Sequence, residues 1–386
     1  MRRLLIFCDG TWNKETAAEP TNVVMAAEAV LPRGSDGVEQ IVFYSEGVGT
    51  TYLINQKIEQ WAAGAFGWGL FDHISEAYRF LVFNYQPGDQ IFIFGFSRGA
   101  FTARSLAGLI RKCGIIPKSE VKTIADAFAF YQRDDVHPDD DMAQAFRAKY
   151  SPQTLMKQAD IDWRQSRGMQ VPALPFFTIR YLGVWDTVGE LGVPKDVMFS
   201  DIINAKYHFH DPSLSSTVEA ARHAVAVDET RVAFAPSLWD NLAQLSLIVG
   251  RAGNYQQLWF PGDHGSIGGG GDIRGLSNHA LGWIVEGALA QGMAIGNDAL
   301  GKWAQEADFT VPLHNSTKPG DFFDHIYTHE PRTGPTDPAA LADSTKNRLL
   351  WNAKQAGQAP YRPETLRQLL AANPSLIGEP PAGAAP

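Results

Sequence analysis

The segment Gln90-Ile91-Phe92-Ile93-Phe94-Gly95-Phe96-Ser97-Arg98-Gly99 constrains the fold of this chain more than any other. An unbroken apolar run enters a G-x-S-x-G turn, and Ala100, Ala103, Ala107 and Ile110 leave it at helical spacing. Continuous apolar character predicts a parallel strand covered on both faces. The small residues that follow let a helix lie close to that sheet. Gly95 and Gly99 have a steric reason, since the strand folds sharply back against the helix. Gly114 is expected to close the helix as a left-handed cap. A serine at such an elbow holds its hydroxyl exposed, beside the first N–H of a helix. Ser97 is therefore a candidate nucleophile and the Arg98 backbone N–H a candidate oxyanion donor. The plain alternative is a serine in an ordinary glycine turn.

The rest of the chain supplies matching strand ends. Residues 4–8 and 40–44 read as short strands, ending at Asp9-Gly10-Thr11-Trp12 and Glu46-Gly47. Thr21 or Asn22 can cap a helix over 23–30, and a second helix is expected over 69–84. A long strand over 176–185 runs into Asp186, and a strand over 256–260 leads to Asp263-His264 and the glycine run 268–271. Between these two, residues 218–227 read as a helix with Glu219, Arg222 and His223 polar. Ser277 or Asn278 is expected to cap the helix after the glycines. Strands alternating with helices indicate a mainly parallel sheet with right-handed crossovers.

Where the alternation stops, insertions are expected. The reading is one α/β domain over 1–386, with cap-like insertions at 117–175 and 190–250 and a flexible tail at 371–386. Helical stretches are expected over 121–132 and 142–149. Asp134, Asp135, Asp139, Asp140 and Asp141 lie between them, read as a solvated loop because calcium-loop spacing is missing. His208 and His210 would share one face of a strand, but with Asp211 they lack an identifiable third ligand. No metal or cofactor is expected.

Composition narrows the partners. A net charge of -9 without a Lys/Arg cluster argues against nucleic acid. Two cysteines, Cys8 and Cys113, are too few for a disulfide framework and read as buried thiols of a reducing compartment. The apolar run 4–8 is too short for a signal-peptide core or a membrane span. The expectation is a cytoplasmic chain with no integral membrane segment, for which peripheral membrane contact and export by a signal-less route stay open.

A serine nucleophile needs a base, and the base an orienting carboxylate. Catalytic groups in open parallel sheets collect at the carboxyl ends of strands. Ser97, Asp186 and His264 each follow a separate strand, in the α/β-hydrolase order of nucleophile, acid and base. His264 is read as base and Asp186 as acid; the alternatives are a satisfied loop histidine and a turn cap. Gly10 or Thr11 is the candidate for a second oxyanion N–H, with Asp9, Trp12 and Asp263 as site-lining candidates. Asp9 can equally be a turn former. The glycines at 268–271 read as close packing or an anion-binding nest.

Phe7-Cys8-Asp9-Gly10-Thr11-Trp12-Asn13, Gly95-Phe96-Ser97-Arg98-Gly99-Ala100, Leu182-Gly183-Val184-Trp185-Asp186-Thr187-Val188-Gly189 and Trp259-Phe260-Pro261-Gly262-Asp263-His264 together resemble the α/β-hydrolase family DUF2235. That family includes the catalytic domain of Tle1-type phospholipase effectors of type VI secretion. The resemblance covers roughly residues 3–290 and implies a Ser-Asp-His esterase or lipase, with Ser97, Asp186 and His264 at the matching positions. One departure is Ser266, where the family commonly carries an acid, and the large membrane-facing domains of a full effector have no counterpart in the sequence. The expected function is hydrolysis of small-molecule or lipid carboxylic esters through an acyl-enzyme. A phospholipase A-type antibacterial effector and a noncatalytic hydrolase-like binding module are the alternatives.

Overall fold

Alternation within each strand explains how one sheet acquires two cores. In the computed structural model, which describes residues 1–10, 18–47, 66–189, 213–250, 253–314, 328–351 and 359–378, β1 (Arg3–Cys8), β2 (Gln40–Ser45), β3 (Gln90–Phe96), β4 (Tyr181–Trp185), β5 (Ala221–Ala226) and β6 (Tyr255–Phe260) form one parallel sheet. Its order is β2-β1-β3-β4-β5-β6. Side chains two apart share a face. Leu4, Ile6, Ile91, Ile93, Leu182 and Val184 therefore pack one way, against α2 (Phe66–Asn84) and α3 (Arg98–Cys113). Leu5, Phe7, Phe92, Phe94, Tyr181 and Trp185 pack the other way, together with buried residues of α1 (Asn22–Ala29) and of a long helix over Gly275–Ala290.

The second face is aromatic, with Phe7 stacked on Phe94 at 4.7 Å between ring centroids. Gly183 gives these rings room: a Cβ there would lie 2.7 Å from Ile284 of the Gly275–Ala290 helix. This is a fold of the α/β class, with helices on both faces of a parallel sheet.

Three expected elements differ. Residues 218–227 hold a strand, β5, not a helix. The run Ala224-Val225-Ala226 is short enough for either periodicity. Its place between β4 and β6 buries both faces, so a ladder takes the backbone groups. The strand expected over 176–185 is regular only over Tyr181–Trp185, since Ile179 makes a single bridge to Val218. Ser277 and Asn278 lie inside the Gly275–Ala290 helix, whose cap is Arg274. Thr21 does cap α1, accepting from the Val24 N–H at 3.3 Å.

The 117–175 segment forms α4 (Ile124–Tyr131), α5 (Asp141–Tyr150) and α6 (Gln158–Gln165). Its bonds run to the carboxyl end of α3, remote from Ser97. Lys112 Nζ donates to the Tyr131 carbonyl at 3.2 Å, and Arg147 donates to those of Arg111 and Lys112 at 3.3 and 3.2 Å. Asp135, Asp139 and Asp141 pair with Arg133, Lys157 and Arg167. Among the described residues no group of His, Cys, Asp or Glu has the arrangement of a metal site, and residues 208, 210 and 211 lie outside them.

Downstream come α7 (Leu242–Val249), α8 (His264–Gly268), α9 (Gly275–Ala290), α10 (Asn297–Glu306), α11 (Asp343–Leu350) and α12 (Arg367–Ala372). Leu349, Tyr361, Leu366, Leu369 and Leu370 build a third core with Val225, Val227 and Trp259 of the β5–β6 edge. Leu376 and Ile377 pack on the same cluster. Cys8 and Cys113 are free and buried, and burial pushes both thiols up to about 12. No helix among the described residues is long and apolar enough to cross a membrane.

Candidate active site

Ser97 sits between the end of β3 and the start of α3 with φ 58° and ψ -123°, a left-handed conformation unusual for a residue with a side chain. The tightness of this elbow follows from its glycines. A Cβ on Gly95 would fall 2.3 Å from the Gly99 carbonyl oxygen, and one on Gly99 would fall 2.1 Å from that of Cys8. The Ser97 N–H reaches across to the Trp185 carbonyl at 3.0 Å, tying the elbow to β4. The N–H groups of Ala100 and Phe101 return to the Ser97 carbonyl at 3.1 and 3.3 Å. Arg98, directly after Ser97, is the first residue of α3.

Asp186 leaves the end of β4 with φ 38°, and His264 opens α8 three residues after Pro261. The fold brings both to Ser97. His264 Nε2 lies 2.8 Å from Ser97 Oγ, and its Nδ1 lies 2.6 Å from Asp186 Oδ2. The three residues are 6, 6 and 0 % exposed for Ser97, His264 and Asp186. With Asp186 ionised, Nδ1 carries the proton and Nε2 accepts from the serine hydroxyl. Phe96 and Phe234 pack on the imidazole, with centroids 4.7 and 4.9 Å away.

Asp186 is held by more than His264. Its Oδ1 accepts from the Ala226 N–H at 2.9 Å, and Arg332 spans both oxygens at 2.7 and 2.9 Å. Burial alone would raise this carboxyl, but the Arg332 charge and the bonds from His264 and Arg332 hold it well below the ordinary carboxylate range. Behind it, His223 Nε2 accepts from the Thr187 N–H at 3.1 Å while Nδ1 meets Gln257 Oε1 at 2.9 Å. The His264 N–H points at Glu229 Oε2, 3.3 Å away, and Glu229 forms a two-pronged ion pair with Arg231.

The other expected site residues have different places. Asp9 Oδ1 accepts the Gly10 N–H at 2.6 Å, and Oδ2 accepts from the hydroxyls of Thr21 and Tyr44 at 2.6 and 2.8 Å. Asp9 thus organises its turn, and the Gly10 N–H donates to it in this structure. Thr11 and Trp12 lie outside the described residues. Asp263 caps α8, accepting from the Ser266 N–H at 2.8 Å and meeting His314 Nδ1 at 2.7 Å. The glycine run serves packing: a Cβ on Gly268 would fall 2.0 Å from the Phe96 ring, and the N–H groups of Gly269 and Gly270 donate to the carbonyls of Gly265 and Pro20. A cavity of about 490 Å³ opens along the outer side of α3, lined by Arg104, Gly108, Lys112, Tyr131 and Trp239. None of Ser97, Asp186 and His264 borders it.

Two contributors have no signal in the sequence. Glu229 follows β5, which reads as a helix, so no strand end pointed to it. Arg332 is 146 positions from Asp186 and belongs to no motif.

An uncharacterized protein of Saccharomyces cerevisiae is 26% identical over 245 residues, covering 60% of this chain and 32% of its own length. The chain thus spans about a third of that curated relative. An uncharacterized protein from Pseudomonas aeruginosa aligns in structure with a TM-score of 0.40 and 17% identity, over 81% of this chain and 48% of the other. The Tle1 effector bound to the VgrG spike of the type 6 secretion system aligns with a TM-score of 0.36 and 19% identity, over 69% and 51%. Residues 2–287 match the family model of the catalytic domain of Tle1-like type VI secretion phospholipase effectors, so the chain belongs to that family.

Proposed function

We propose that this chain is a serine hydrolase that cleaves carboxylic esters of lipids. The observation that carries the reading is the continuous hydrogen-bonded line from Ser97 Oγ through His264 to Asp186, set at a strained strand-to-helix elbow. In this reading Ser97 Oγ attacks the ester carbonyl carbon as Nε2 of His264 takes the hydroxyl proton. The oxyanion is met by the Arg98 N–H at the start of α3. When the ester C–O bond breaks, Nε2 returns the proton to the departing alkoxide and an acyl-serine remains. Water, deprotonated by the same nitrogen, then attacks the acyl carbon and releases the carboxylic acid and free Ser97. Asp186 keeps Nδ1 protonated throughout and offsets the imidazolium charge.

Membership in a phospholipase-effector family supports lipid esters as the substrate class and phospholipids as the first to try. A protein acting on them meets a membrane surface from outside. The test is fluorophosphonate labelling of wild type and Ser97→Ala, run beside hydrolysis of p-nitrophenyl esters of rising chain length and of phospholipid vesicles. Labelling that vanishes in Ser97→Ala, with turnover of long-chain or vesicle substrates, is the expected result. An unlabelled, inactive wild type favours the noncatalytic module and overturns the reading. Preference for short soluble esters would keep the hydrolase and remove the lipid.

A further inference from the structure

The carboxylate that orients His264 carries an arginine from a segment beyond the family match, which ends at residue 287. Arg332 is 9 % exposed. Its two terminal nitrogens span both Asp186 oxygens and also donate to the carbonyls of Ala226 at 2.9 Å and Phe234 at 2.5 Å. The backbone that presents it is pinned to the site's own strand-end loop: Val232 N–H bonds the Thr328 carbonyl, and Glu330 N–H bonds that of Thr230. Just beyond, a Cβ on Gly334 would fall 2.1 Å from the Thr365 carbonyl oxygen, so the third core fixes this path from the other side. The same loop carries Glu229 against the His264 N–H and Phe234 against its ring.

We propose that Arg332 is a positioning residue of the triad, which fixes the Asp186 carboxylate plane and tempers the negative charge that His264 experiences, so that the described residues 328–351 and 359–378 form part of the catalytic unit. The proposal rests on the serine-hydrolase reading and deepens it. A guanidinium fork matches two carboxylate oxygens and defines their orientation, which one ammonium cannot do. It also partly offsets the carboxylate charge, so imidazolium is less favoured than beside an unpaired Asp186. The other charged groups near His264 have partners of their own: Glu229 pairs with Arg231, Asp263 meets His314 Nδ1, and His223 lies buried behind Asp186. Arg332 is the cation in direct contact with Asp186.

The test is the pH dependence of the fluorophosphonate labelling rate of the full chain, for wild type, Arg332→Lys and Arg332→Met, with melting temperature and near-UV circular dichroism followed in parallel. In Arg332→Met the plateau rate falls about ten- to a hundredfold, the worth of a charged hydrogen bond at the site. Its acidic limb moves up by about one pH unit, because the uncompensated carboxylate favours the protonated, inactive imidazole. Arg332→Lys keeps the charge, so its limb stays in place while its plateau falls. Wild-type plateau and limb in both variants would overturn the proposal. So would a folded Arg332→Met that loses rate with an unmoved limb, since that is mere structural support. Should Arg332→Met fail to fold, Arg332→Lys decides alone, and a plateau within about twofold of wild type overturns it. A wild type that is not labelled removes the hydrolase reading and this inference with it.

Discussion

The ring of Phe96 lies against the imidazole of His264, with centroids 4.7 Å apart and planes 32° apart. Gly268, one helical turn after that histidine, meets the same ring, and a Cβ there would fall 2.0 Å from Phe96. Phe96 therefore packs against both His264 and Gly268. Gly268→Ala is expected to displace the Phe96 ring that packs on His264 and lower the labelling rate by roughly a hundredfold, the cost of about an ångström of misplacement. Destabilisation of about 1–3 kcal/mol accompanies it. A normal rate with a lowered melting temperature would show that this packing does not set the histidine's position.

Ser97 holds a left-handed backbone that glycine adopts freely. Ser97→Gly and Ser97→Ala both remove the hydroxyl, and only the first relieves the strain. Ser97→Gly is expected to be the more stable of the two by about 1–3 kcal/mol in urea unfolding, with neither labelled. Equal stabilities would show that the elbow stores no strain at this residue.

Asp186→Asn keeps the shape of the side chain and removes its charge. The amide no longer enforces the Nδ1–H tautomer, and the rate is expected to fall about ten-thousandfold. Arg332, 4 % exposed in its side chain, is then left without its counter-charge. The fold loses about 3–5 kcal/mol, read as a lowered urea midpoint. Loss of activity at unchanged stability would mean that Arg332 finds another partner.

His223 sets an acid limit on stability. Burial first, and then the Arg104 charge, push its imidazole down to about 3. In the unfolded chain it titrates near an ordinary value of about 6.5. Between those values the unfolded chain binds a proton that the folded one refuses, so stability falls as pH falls. The slope approaches about 1.4 kcal/mol per pH unit below pH 6.5. Melting temperatures between pH 7.5 and 5.5 stay above the ordinary carboxylate range of about 4, and His223→Gln is expected to lessen that slope. An unchanged slope would place the acid sensitivity elsewhere.

The strand–elbow–helix around Ser97 was legible in sequence because its requirements are local: an apolar run, two glycines that nothing larger can replace, and small residues on the next helix. The same holds for the strand ends that carry Asp9, Asp186 and His264. The 218–227 segment was not legible, since a short apolar run satisfies both periodicities and only its burial between β4 and β6 selects a strand. That misreading hid Glu229. The bonds that Asp9 makes to the Gly10 N–H and to the hydroxyls of Thr21 and Tyr44 were likewise invisible in residue order.

Sequence by itself determined the α/β alternation, the elbow and the strand ends at which Ser97, Asp186 and His264 stand, because each is written in neighbours a few positions apart. Tertiary structure alone decided that the three side chains meet within hydrogen-bonding distance, that Phe96 packs against His264 and Gly268, and that Arg332 reaches Asp186. Those contacts join residues up to 172 positions apart. They exist because six parallel strands carry their carboxyl ends to one edge of the sheet and the C-terminal segment folds back on β6. Chain proximity specifies conformation; only packing specifies which distant charges share a buried site.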